Sequence, residues 1–262
     1  MDVSLASLQK QWAAEQLNYR RELVLRDPEW LASRLVAADL LIGGLDISFS
    51  KYRSDVAVVT LAVVHLESLK LVTQSSIHVK LTVPYLPTFL GYREIDPYIR
   101  VVRDLKETMP QSMPDILMVD GNGTLHPRGF GSACQVGYQL DLPTLGVAKN
   151  LLEVSSTDSP SELDNWSSHR KVLMESHKSN LRNHGDRVEI RNAEGETCGV
   201  AMLNSTGSMK PVFISPGHRI SLDTACTLVL KTSKFRTPEP IRLADQISRK
   251  EIRLLDSASF DS

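Results

Sequence analysis

Cysteine is scarce in this chain of 262 residues: Cys134, Cys198 and Cys226 are the whole complement, widely spaced and in no C-x-x-C pair. An odd, scattered set argues against a disulfide framework and against a zinc knuckle, and fits a reducing intracellular compartment. No apolar run approaches the roughly 20 residues needed to span a bilayer. The N-terminal stretch MDVSLASLQKQW also lacks the apolar core of a signal peptide. The expectation is therefore a soluble, non-secreted protein of the cytoplasm or nucleus, with no membrane partner. Nor is there an excess of charge: 30 Lys and Arg stand against 31 Asp and Glu, a formal net charge of -1. Any nucleic-acid footprint would have to be local and offset by acids elsewhere. Internal repeats and low-complexity tracts are missing too. What is present is a 42% hydrophobic chain long enough to bury a sizeable core, read as one domain over residues 1–262.

Residues from about 5 to 36 carry Leu8, Trp12, Ala13 and Leu17 at helical spacing, with Pro28 breaking the pattern; this reads as a helix followed by a turn. Three runs rich in β-branched residues follow, Leu41 to Ser50, Asp55 to His65 and Leu69 to Val83, linked closely enough to be consecutive antiparallel strands. VPYLPTFLGYRE interrupts them and leads into DPYIRVVRDLKETM, a crossover helix with Asp96 as a cap, Pro97 in the first turn and Ile99, Val102 and Leu105 on one face. DILMVDGNG is apolar enough to be a strand buried on both faces, and PTLGVAKN a fifth strand reached through the helical SACQVGYQLDL. Residues 155 to 195 turn polar, an insertion with a short amphipathic piece around Val172. GVAMLN and PVFIS then resume strand character, and SLDTACTLVLKTSK and PEPIRLADQISRKEIRLL close the chain as helices. The order implies an α/β fold, a mixed sheet flanked by helices.

Two carboxylates sit where none is expected. Asp46 lies inside the apolar LIGGLDISFS, and Asp120 ends the apolar strand LMVDGNG, the end at which open α/β sheets place ligands. A buried charge is costly unless paired or bound to a cation. If the first and fourth strands are neighbours, the two acids converge and call for a cation. Glu94 and Asp245, in RLADQIS, are further candidates, and hard oxygen ligands without a Cys cluster point to Mg²⁺ or Mn²⁺. Each acid also has an ordinary reading: a turn residue for Asp120, an arginine partner for Asp46, a helix-dipole acid for Glu94 and a solvated charge for Asp245.

GGLDISF, PYLPTFLGYRE, VDGNGTLHPRGFG, GVAKN, PVFISPGHRISLDTA and FRTPEPIRLAD follow one another in an order that resembles the endonuclease V family, from about Leu41 to Ser248. The resemblance implies an RNase H-like fold and a metal-dependent endonuclease acting at inosine. It implies cleavage of the second phosphodiester bond 3′ to the deaminated base, leaving 3′-hydroxyl and 5′-phosphate ends. On matching positions, Asp46 and Asp120 would ligate Mg²⁺, with Mn²⁺ able to substitute. Glu94 would hold a water at the metal or a second ion, and Asp245 would complete the metal set. Lys149 would meet the scissile phosphate, and His218, after a Pro-Gly turn at a helix start, would contact phosphate or orient a group near the metal.

The same resemblance makes Pro84, Tyr85, Leu86 and Pro87 a wedge, with Tyr85 the stacking ring, while the target base swings into a pocket. Thr88, Leu90, Gly121, Asn122 and Gly123 would line that pocket, the glycines letting the main chain approach the base edge. Family members commonly carry Gly at the position of Thr88 and Phe at that of Tyr92. Lys149, Arg128, Arg219 and Arg242 are candidates for a local phosphate track. The partner expected is inosine-containing RNA, ahead of DNA, bound by a monomer. A non-catalytic reader of inosine-containing RNA, a DNA-directed deoxyinosine repair enzyme and a structure-specific nuclease indifferent to inosine are the competing readings.

Overall fold

The computed structural model describes residues 5–86, 88–152 and 180–258. Pro87 and the piece around Val172 lie outside the described residues. Eight strands form one mixed sheet in the order β3-β2-β1-β4-β5-β8-β7-β6. They are β1 (Leu41–Phe49), β2 (Val56–His65), β3 (Leu71–Lys80), β4 (Ile116–Asp120), β5 (Thr144–Ala148), β6 (Arg187–Arg191), β7 (Thr197–Met202) and β8 (Val212–His218). The first three are antiparallel neighbours, as their short links require. β1, β4 and β5 run parallel, so their C-terminal ends share one edge.

Helices explain why the central strands are apolar throughout. On one face α3 (Leu90–Thr108) and α4 (Ser132–Leu140) cover Leu45, Val59, Leu61, Leu117 and Val119. On the other, α5 (Leu222–Thr232) and α6 (Glu239–Ala258) cover Ile42, Ile116, Met118, Leu145 and Val147. α6 approaches β1 so closely that a Cβ on Gly44 would lie 2.1 Å from the carbonyl carbon of Pro240. That contact seats α6 beside Asp46. Among the described residues, no helix is long and apolar enough to cross a membrane.

Three expectations need correction. The segment 5–36 is two helices, α1 (Leu5–Arg20) and α2 (Leu31–Ala37), and of the expected stripe only Trp12 is fully buried. α3 begins at Leu90, so Asp96 and Pro97 fall inside it rather than at its start. Burial of Gly91, Glu94, Ile95 and Tyr98 outweighs the lost hydrogen bond at Pro97. The polar insertion ends earlier than expected, because Arg187–Arg191 pairs with β7 as an edge strand, where one solvated face hides its β character.

Candidate active site

Register brings the two anomalous acids together. Leu45 pairs with Val119 across the parallel β1/β4 seam, so the next residues, Asp46 and Asp120, leave the sheet side by side at its C-terminal edge. Strand alternation aims both toward α6, the face that Ile42 and Met118 share. Lys149 follows β5 on the same side, and its Nζ donates to Asp120 Oδ2 at 2.9 Å. α6 adds Ser248, whose Oγ donates to Asp46 Oδ2 at 2.8 Å, and Asp245, which accepts from Arg249 Nε at 2.7 Å. Asp46, Asp120, Lys149 and Asp245 line one open pocket of about 410 Å³. Glu94 approaches from α3, only 4% exposed.

These surroundings shift the acids strongly. Burial, then the nearby Asp120, pushes the Asp46 carboxyl up to about 7, against the opposing hydrogen bond from Ser248. Burial, then Asp46 and Asp120, pushes Glu94 up to about 8. Burial would lower the Lys149 ammonium, but Asp120, joined by Asp245 and Asp46, holds the group above its ordinary range. Tyr98, one turn beyond Glu94, is buried beside the same acids with an unpartnered hydroxyl, and burial raises its pKa further.

The four acids do not form a finished cage. Among the described residues, no three His, Cys, Asp or Glu side chains are grouped so that they could hold a metal ion as they stand. Asp120, Asp46 and Asp245 are instead answered locally, by Lys149, Ser248 and Arg249 in turn. The donor chemistry nevertheless fits a hard cation. Mg²⁺ is usually held by one or two carboxylates completed by water and substrate phosphate, and Asp46 with Asp120 offers that pair.

The segment expected to act as a wedge stands at the opposite side of the same edge, where α3 begins. Tyr85 is 65% exposed, its ring offered to solvent, and Pro84 is exposed as well. Leu86 and Leu90 are partly buried, whereas Thr88 is buried with φ +66°, a backbone region that a β-branched residue rarely adopts. Arg128 compensates. Its Nη2 donates to Thr88 Oγ1 at 2.6 Å and Thr88 O at 3.0 Å, its Nε donates to Gln16 Oε1 at 2.5 Å, and its guanidinium lies 4.3 Å from the Phe89 ring centroid. His126 Nε2 also meets Thr88 O at 3.0 Å, while its Nδ1 accepts from the Arg128 amide. That pattern fits a neutral ring, and burial, then Arg128, drives its pKa down to about 3. Tyr92 stacks on Trp12 at 4.5 Å, and its hydroxyl donates to Trp12 O and Glu15 Oε2.

In the turn after β4, Gly121 has room for a Cβ, but Gly123 does not: a Cβ there would lie 2.0 Å from Pro216 O. The Gly123 amide donates to Ser215 Oγ at 2.9 Å, so this glycine serves strand packing first. Asn122 Oδ1 is buried without a partner.

Other expected residues go elsewhere. His218 ends β8 opposite Thr144, at the start of β5 and so at the far end of that strand from Lys149. It faces Val24 N and Asp141, because Pro216-Gly217 continues the strand instead of turning into a helix. Arg219 also pairs with Asp141 there, Arg242 pairs with Glu239, and Arg128 is buried under the wedge segment. Of the four cations proposed as a phosphate track, only Lys149 stands in the pocket.

A profile of the endonuclease V family matches residues 31–246. The chain belongs to that family. Human endonuclease V is 38% identical over 243 residues, covering 92% of this chain and 82% of the human protein. A crystal structure of a variant of the human catalytic domain matches with a TM-score of 0.83 and 36% identity over 96% of this chain and 98% of that one. Endonuclease V of Ciona intestinalis, in complex with a 23mer DNA containing an inosine followed by a ribo-adenosine, matches with a TM-score of 0.80 and 30% identity, covering 97% of this chain and 100% of that one. The fold is RNase H-like, and the family is one of metal-dependent nucleases.

Proposed function

We propose that the chain acts as one Mg²⁺-dependent endonuclease unit that cuts single-stranded RNA at the second phosphodiester bond 3′ to inosine. The juxtaposition of Asp46 and Asp120 at the β1/β4 edge, with Lys149 on Asp120, is the observation that carries this reading. A divalent cation bound by these carboxylates would neutralise the phosphate and acidify a water. Asp46 and Asp120 fix where that charge sits, and Ser248 orients Asp46 through its hydroxyl. Lys149 carries a positive charge to the scissile phosphate and stabilises the negative charge that grows there. Glu94, with its pKa near 8, keeps a proton at neutral pH and can hold a water by hydrogen bond. Water oxygen bonds to phosphorus as the P–O3′ bond breaks, leaving a 3′-hydroxyl and a 5′-phosphate. Tyr85 stacks in place of the displaced base, and the turn Gly121 to Gly123 faces the base itself.

The choice of RNA draws on the Ciona relative, whose bound strand carries a ribonucleotide directly after inosine. Matched RNA and DNA single strands with one inosine, incubated with Mg²⁺, test the reading. Cutting one nucleotide beyond inosine, faster in RNA and lost in Asp46→Ala, is expected. Equal cutting without inosine, or binding without any cutting, would overturn it in favour of a less selective nuclease or a reader.

A further inference from the structure

The pocket that holds the acids does not stop at them. It continues along α6 to the tip of the β1–β2 hairpin, where Phe49, Lys51, Arg249 and Arg253 line it. Lys51 and Arg253 are exposed, whereas the Phe49 ring turns to the α3 face, where the Arg93 guanidinium lies 5.5 Å from its centroid. Position here is fixed by a buried linkage between the two elements. Ser50 Oγ donates to Asp256 Oδ1 at 2.5 Å and accepts from the Tyr52 and Arg53 amides, while the Lys51 amide donates to Asp256 Oδ2 at 3.2 Å. The hairpin tip and the last turns of α6 therefore present their cations as one surface, with little ordering left to be done on binding.

Direction follows from the two sides of the sheet. Tyr85, Thr88 and the turn Gly121 to Gly123 lie toward α3 and α4, whereas Lys51 and Arg253 lie toward α6. Asp46 and Asp120 stand between the two groups. A strand whose altered base sits on the α3 side and whose cut falls 3′ to that base must leave the acids toward α6. Two exposed cations at the end of an open pocket suit a single strand, with charges tracking its phosphates.

We infer that Lys51 and Arg253 form a binding site for the nucleotides 3′ of the scissile bond, holding the product fragment that bears the 5′-phosphate. This rests on the proposed function, and the test separates the two. Inosine strands with a short or a long 3′ arm beyond the cut, and mirror strands lengthened on the 5′ side, are compared by fluorescence anisotropy without divalent cation and by cleavage with Mg²⁺. The long 3′ arm should bind wild-type protein roughly three- to tenfold tighter, the size of two exposed charge contacts. The Lys51→Ala/Arg253→Ala protein should lose that gain and keep any gain from the 5′ arm. A gain that persists in the double variant, or no gain in wild type, overturns the site. Binding that follows the 3′ arm without any cutting overturns the nuclease reading and leaves the site standing.

Discussion

Asp46 was legible in the sequence because a carboxylate inside GGLDISF contradicts its surroundings, and the structure shows what the contradiction costs: a carboxyl pushed to about 7, beside a Glu94 pushed to about 8. What could not be read was the company each polar residue keeps. In sequence His218, after its Pro-Gly turn, and Arg128 both read as candidates to contact phosphate, and both are buried against segments far away in the chain, His218 beside Val24 and Arg128 beside Gln16. The acids make a pH prediction. A carboxyl whose folded pKa is raised stabilises the fold fully below its unfolded value near 4, and that contribution is lost as pH rises through 7 to 8. A divalent cation competes with those protons, so its own stabilisation must run the other way. Mg²⁺ at about 5 mM should barely move the melting temperature near pH 5.5 and raise it by several degrees near pH 8.5, with the difference shrinking in Asp46→Asn. Equal shifts at both pH values in a thermal melt would show that the ion binds elsewhere.

Elements were easier to read than their ends. The β-branched runs of β1 to β3 and the apolar β4 and β5 announce themselves because burial on both faces leaves no room for polar alternation. The start of α3 was missed, since packing against the sheet carried the helix past a proline that local propensity would place at its start. The junction of α1, the wedge segment and the turn after β4 was not visible at all, although Thr88 marked it as a departure from the family. Arg128 links these three segments through Gln16, Thr88 and the Phe89 ring. Arg128→Met should cost about 3 kcal/mol, because it strands buried acceptors on both partners. Urea unfolding measures that loss. Cleavage by the variant should suffer mainly in KM, as the wedge segment loses its anchor while the acids keep theirs. Thr88→Gly should cost less than about 1 kcal/mol, because glycine accepts φ +66° without strain and offsets the lost hydroxyl bond. A kcat loss in Arg128→Met at unchanged KM would place Arg128 in the chemistry instead.

At the scale of the whole molecule, a net charge of -1 says little about what the surface offers a polyanion. Asp46, Asp120, Lys149 and Asp245, which line the pocket, could be found from motifs because each sits in a short distinctive run; Lys51 and Arg253 could not, since they are brought together by α6 packing on β1. That packing also decides how binding must depend on salt. A molecule that met nucleic acid through its overall charge would show almost no salt dependence, whereas phosphates held at discrete cations release counterions whatever the net charge. Lys149, Lys51 and Arg253 supply three such contacts, each worth about 0.7 in the slope for a single strand, so the logarithm of affinity should fall with the logarithm of salt at about -2. Anisotropy titrations of a single-stranded inosine oligonucleotide between about 50 and 200 mM salt read this directly. The Lys51→Ala/Arg253→Ala protein should keep only the shallow slope that Lys149 leaves. A wild-type slope near zero would mean that the strand is held by stacking alone, and that the cations on α6 and the hairpin face solvent for solubility only.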